Sequence, residues 1–129
     1  MKHISCITIL LLSAACSKHS GDTTEQPADV RFDNVTPVIN SHYAPGDTVW
    51  LQARAISATV LHAYEVSVQR AGDTAHLFFA DVHDHNDTLD INQYWVNDQP
   101  AGTALRATFS VVLNHEGDRA EQVVPFVSQ

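Results

Sequence analysis

Cysteine is almost missing from this chain: Cys6 and Cys16 are the only two, and nothing after position 16 carries a thiol. A domain built from the later residues has no disulfide, no thiolate nucleophile and no thiolate metal site, so its stability rests on its core alone. Basic residues are scarce too, seven against fifteen acidic ones, for a net charge of −8. Such a surface repels nucleic acid and anionic lipid, and no nucleic-acid partner is expected. Long apolar runs are also absent: the greasiest stretch, Ile4 to Ala15, is short of the roughly 20 residues that cross a bilayer as a helix. Helical periodicity is missing throughout the rest. No serine stands in a glycine-flanked elbow, and carboxylates scattered over an acidic surface read as solvation, so the chain is not expected to be an enzyme.

What is present begins at the N-terminus. Lys2, the apolar run and the small pair Ala14-Ala15 before Cys16 describe a cleaved secretory leader. The run Leu12-Ser13-Ala14-Ala15-Cys16 resembles the lipobox of bacterial lipoproteins. That resemblance implies a signal peptide over 1–15, acylation of Cys16 as the first mature residue, and a domain held at a membrane by lipid. Removing 1–15 takes away only Lys2, which moves the net charge from −8 to −9. Residue Ser17 does not resemble the aspartate that commonly retains lipoproteins in the inner membrane, which favours the outer membrane of a Gram-negative envelope. The lipidated Cys16 and the polar segment to Ala28 (16–28) read as a flexible tether with a reach of about 20 Å as a coil and about 40 Å when stretched. Residues 29–129 suffice for one domain and are too few for two.

Beyond the tether the dominant period is two, the signature of half-buried strands. Val30 to Val35 is a first strand, and Ala44-Pro45-Gly46-Asp47 is a turn. Thr48 to Ser57 alternates Val49, Leu51, Ala53 and Ala55 against Trp50, Gln52 and Arg54. Val60 to Gln69 alternates Val60, His62, Tyr64, Val66 and Val68 against Leu61, Ala63, Glu65 and Ser67. Arg70 to Asp73 reads as a hairpin turn into a strand over Thr74 to His83. A short strand over Leu89 to Tyr94 follows. The last hairpin runs from Leu105 to Leu113, turns at Asn114 to Asp118 and returns over Ala120 to Val127. About seven strands at this spacing suit an antiparallel immunoglobulin-like β-sandwich, and the fold class expected is all-β.

The strand opened by Pro45-Gly46-Asp47-Thr48-Val49, the His/Asp-rich exit of the middle hairpin and the turn Asn114-His115-Glu116-Gly117-Asp118 resemble the small immunoglobulin-like lipoproteins of Gram-negative bacteria, many of unknown function. The Cys, Trp, Cys pattern of antibody domains is absent, so Trp50 and Trp95 are not placed by that analogy.

One cluster has the residue types for site chemistry: Asp81-Val82-His83-Asp84-His85-Asn86-Asp87, with Asp90 beyond it. Residues i and i+2 share a strand face. A hairpin centred on Ala71-Gly72 sets Arg70 opposite Asp73, Tyr64 opposite Phe79 and His62 opposite Asp81. His62, Asp81, His83 and His85 would then gather as ligands for zinc, copper or nickel. The competing reading is a solvated strand end, because a one-residue slip of register scatters the four. Asp84, Asp87 and Asp90 offer hard oxygen ligands for calcium, without the glycine and closing glutamate of an EF-hand. Trp50 and Trp95 are candidates for an aromatic surface that binds a sugar or peptide. Four Asp-Thr pairs mark Thr23, Thr48, Thr74 and Thr88 as candidate O-glycosylation positions, although Asp-Thr is also how a turn hands over to a strand. The expectation is a lipid-anchored, non-catalytic binding or structural-association module without a cofactor, its partner an envelope protein or glycan. Its rival is a metal-binding protein using the His/Asp cluster.

Overall fold

A computed structural model describes residues 29–129. The leader, Cys16, the tether and Thr23 lie outside the described residues. Six strands are present: β1 (Arg31–Thr36), β2 (His42–Tyr43), β3 (Thr48–Arg70), β4 (His76–Val96), β5 (Ala104–Val112) and β6 (Arg119–Ser128). The described residues contain no helix. The all-β expectation therefore holds.

The strands form one hydrogen-bonded sheet in the order β1-β3-β5-β6-β2, with β4 pairing β3 along its other side. All neighbours are antiparallel except β2 and β6, which run parallel. Six strands stand where seven were expected because two expected pairs merge, leaving five, and the short β2 is added. Thr48–Ser57 and Val60–Gln69 are one bent strand, β3, and Thr74–His83 and Leu89–Tyr94 lie in one bent strand, β4. The polar run His83 to Asp87 is exposed and continues the strand, pairing with β3 through His83 with Ala63 and Asn86 with Leu61.

Register breaks in the β3–β4 ladder fall between Ile56, Leu61 and Ala63, and there the sheet curls. The first half of β3 pairs with β1 and the end of β4, whereas its second half pairs with β5 and the start of β4. The curl brings the inner faces of the two halves together. Val49, Leu51, Leu89, Ile91 and Trp95 of one half join Val66, Val68, Leu105, Phe109 and Phe126 of the other in a single buried cluster. The outer faces are left to solvent.

Asn97, just past β4, closes the end of the sheet where β2 lies. Its buried amide nitrogen donates to the carbonyls of Tyr43 (3.2 Å) and Ala44 (3.1 Å) and to Ser128 Oγ (2.8 Å), and its Oδ1 accepts from the Gln99 amide (3.1 Å).

Candidate functional site

The two outer features with the residue types for binding are an aromatic strip on the first half of the sheet and a histidine group at the curl. The strip follows from alternation. With Val49, Leu51, Ala53 and Ala55 packed inward, Trp50, Gln52 and Arg54 must face outward, as their exposure confirms. The ladder pairs Thr48 with Val96, Trp50 with Tyr94, Gln52 with Asn92 and Arg54 with Asp90. Trp50 and Tyr94 are 49% and 58% exposed, and their rings meet at 5.6 Å with a 57° tilt. Val96, also exposed, extends the apolar end of the strip.

Polar pairs continue the strip beyond the rings. Gln52 Nε2 donates to Asn92 Oδ1 at 2.9 Å. Arg54 donates to both Asp90 oxygens, Nε to Oδ1 at 2.7 Å and Nη2 to Oδ2 at 3.3 Å. The Arg54 hydrogen bond holds the Asp90 carboxyl below its usual value. Beside these pairs lies a groove of about 300 Å³ lined by Asn34, Gln52, Arg54, Asp90 and Asn92. Asn34 stands there with φ of 53°, in the left-handed region that asparagine tolerates, where β1 bulges against β3.

The structure separates the two tryptophans expected to share a binding surface. Trp95 is 6% exposed and belongs to the core, and Tyr94 takes its place beside Trp50. The run Leu89, Ile91, Trp95 carries the inward phase of β4, which turns Tyr94 outward.

The middle hairpin also differs from expectation. β3 ends at Arg70 and β4 starts at His76, so the connection spans Ala71 to Ala75. Asp73 Oδ1 accepts from the Ala75 amide at 3.1 Å, Gln69 Nε2 donates to the Thr74 carbonyl at 2.9 Å, and Arg106 Nη2 donates to the Asp73 carbonyl at 2.9 Å. These bonds fix a longer loop, which moves the register by two residues so that Gln69 opposes His76, and a bulge between Val68 and Gln69 adds a third: Tyr64 opposes Val82, Ser67 opposes Phe79, and Glu65 opposes Asp81. An odd shift exchanges faces. His62 therefore does not oppose Asp81, and His83 sits opposite Ala63. Glu65 in turn is held by Arg119 at 2.7 Å.

His62 and His85 do come together, with ring centroids 5.0 Å apart. Two residues of β4, Asp84 and His85, lie between His83 and Asn86 while only His62 of β3 lies between Leu61 and Ala63, so the extra residue breaks the relation between His83 and His85. A third ring, unforeseen in the sequence, completes the group: His115 lies 4.4 Å from His62. The β5–β6 turn holds it there through Asp118 N donating to Asn114 Oδ1 (3.1 Å), Asn114 Nδ2 donating to Asp118 Oδ2 (2.7 Å) and Gly117 at φ of 89°. The pairing of Ala63 with Val112 sets the start of that turn near His62. Among the described residues no three His, Cys, Asp or Glu side chains stand preset around a metal position. Of the calcium candidates, Asp90 is committed to Arg54, and Asp84 and Asp87 are exposed on β4. Thr48 and Thr74 are exposed and Thr88 half-buried.

Burial lowers the His62 pKa from its usual 6.5, and the neighbouring His115 and His85 lower it further, against an opposing pull from Glu116. A folded-state value below the unfolded one means that the unfolded chain takes up its proton first as pH falls, so folding stability declines through and below pH 6.5. The thermal midpoint is expected to fall on acidification from pH 7.5 to 5.5, and to fall less in His62→Gln. An equal fall in both proteins would contradict this account.

No protein-family model matches this chain, and no curated protein matches its sequence.

Proposed function

We propose that the protein is a non-catalytic, lipid-anchored binding module of the cell envelope, and that the outer face of Trp50 and Tyr94 takes a neutral glycan. The observation that carries this reading is the pairing of two exposed aromatic rings with a ladder of planar polar side chains on one face. Aromatic rings stack on the apolar C–H faces of sugar rings, and flat amide, carboxylate and guanidinium groups bond neighbouring hydroxyls in pairs. Arg54 and Asp90 neutralise each other, which suits an uncharged occupant. The second outer depression, of about 360 Å³, is less suited to an uncharged occupant: it offers the single exposed hydrophobic ring of Phe79 where the strip offers two rings, and the carboxylates of Glu65 and Glu121 line it.

In this reading the two halves of the curled sheet act as the layers of an immunoglobulin-like sandwich. Cys16 carries the lipid that anchors the protein, with the outer membrane as its site, and the tether lets the strip reach polysaccharide away from the bilayer. The test is affinity electrophoresis through gels that contain neutral polysaccharides in turn: β-glucan, α-glucan, xylan and mannan. At least one should retard the protein. Trp50→Ala and Tyr94→Ala should each weaken that retardation about tenfold, equivalent to about 1.4 kcal/mol. Unaltered migration in all four gels, or retardation that survives the double substitution, would refute the reading.

A further inference from the structure

His62, His85 and His115 come from three separate places: the bulged middle of β3, the bulged middle of β4 and the β5–β6 turn. Bringing three imidazoles together costs conformational freedom and gathers groups that repel once protonated, so the grouping invites a chemical reason. His62 Nδ1 is buried and has no hydrogen-bond partner among the described residues. Buried polar atoms without partners are rare, and a bound ion is one of the few things that satisfies them.

We propose that His62, His85 and His115 bind a single divalent d-block cation, of the zinc, copper or nickel class. Distances support this. Zinc with imidazole nitrogens at about 2.0–2.1 Å in tetrahedral array leaves the ring centroids of two ligands about 5 Å apart. The rings of His85 and His115 stand 5.0 and 4.4 Å from that of His62. The three rings are not preset around a metal position, so binding requires the exposed His85 and His115 side chains to rotate about χ1 and χ2. Imidazoles without thiolate select this class over calcium or magnesium, and copper binds tightest within it. Glu116, beside His115, supplies a carboxylate for the fourth position or for orienting a ligand ring. The site uses none of the residues of the Trp50 strip, so neither proposal depends on the other.

The test uses the full chain, untagged and purified in detergent, equilibrated with Zn²⁺, Cu²⁺ or Ni²⁺ alone and then desalted. Retained metal is counted by mass spectrometry, and thermal midpoints are recorded with and without EDTA. The expected result is one equivalent of copper per chain and a raised midpoint that EDTA reverses. His115→Ala and His85→Ala should each weaken binding at least tenfold while keeping the midpoint measured in EDTA, and His83→Ala should bind as the unaltered protein does. No retained metal would overturn the proposal. So would retained metal that His115→Ala leaves unchanged, because the ion would then sit on other donors such as His3 or His19.

Discussion

Phe109→Ala should destabilise the protein by about 3–5 kcal/mol, the usual cost of removing a fully buried aromatic ring and leaving its cavity. Phe109 is wholly buried on β5 and sits in the cluster that joins the two halves of the curled sheet. A domain of this size has about 5–15 kcal/mol of total stability, and no disulfide supplements it here. The substitution therefore removes about a fifth or more of the margin. Urea unfolding with an unchanged slope and a lowered midpoint is the expected observation. A loss below about 1 kcal/mol would mean that the cavity collapses or that the inner faces pack less closely than described.

Asn97→Ala should cost about 2–4 kcal/mol for a different reason. Its amide nitrogen serves the Tyr43 and Ala44 carbonyls and Ser128 Oγ, and its oxygen serves the Gln99 amide. Alanine leaves the buried Gln99 amide on the β4–β5 loop without a partner, at about 1–3 kcal/mol, and removes one bond each from the Tyr43 and Ala44 carbonyls and Ser128 Oγ, which keep only the Gln129 amide, the Asp47 amide and the Gln99 carbonyl as partners. Asn97→Asp should be no milder, since a carboxylate would face three acceptors. Hydrogen exchange should locate the damage: amides of Tyr43, Ser128 and Gln129 should exchange faster, while those at Val66 and Phe109 keep their protection relative to global unfolding. Equal loss of protection at both places would contradict a local role for Asn97.

Much of this architecture is legible in the residues themselves. The alternation Val49, Leu51, Ala53, Ala55 identifies the inward face of β3 and sends Trp50, Gln52 and Arg54 outward, and the structure agrees. The same rule works for β4, where Leu89, Ile91 and Trp95 are in phase, but Gln93 interrupts the apolar series. Joining Tyr94 to Trp50 further requires the β3–β4 register, and that register depends on a five-residue loop held by Asp73, Gln69 and Arg106 and on the bulges at Val68–Gln69 and between Ile56, Leu61 and Ala63. Arg106 lies on β5, so a bond between elements distant in sequence sets a pairing that local turn residues alone do not specify.

The histidine group shows the same division. His62 and His85 can be suggested from one hairpin, although the bulge that excludes His83 leaves no mark in the sequence pattern. His115 enters through the neighbouring of β3 and β5, a matter of strand order beyond the reach of period-two reading. Asp81 is drawn away from these histidines by the hairpin register, which sets it against Glu65.

The central claim, that the Trp50 and Tyr94 face recognises a neutral glycan, is tested most directly by following the two tryptophan indole N–H signals by NMR during titration with the polysaccharide that retards the protein. The exposed Trp50 indole should shift or broaden progressively, while the buried Trp95 indole stays in place as an internal reference. A Trp50 signal that does not move at saturating polysaccharide, or equal movement of both indoles, would contradict recognition at this face.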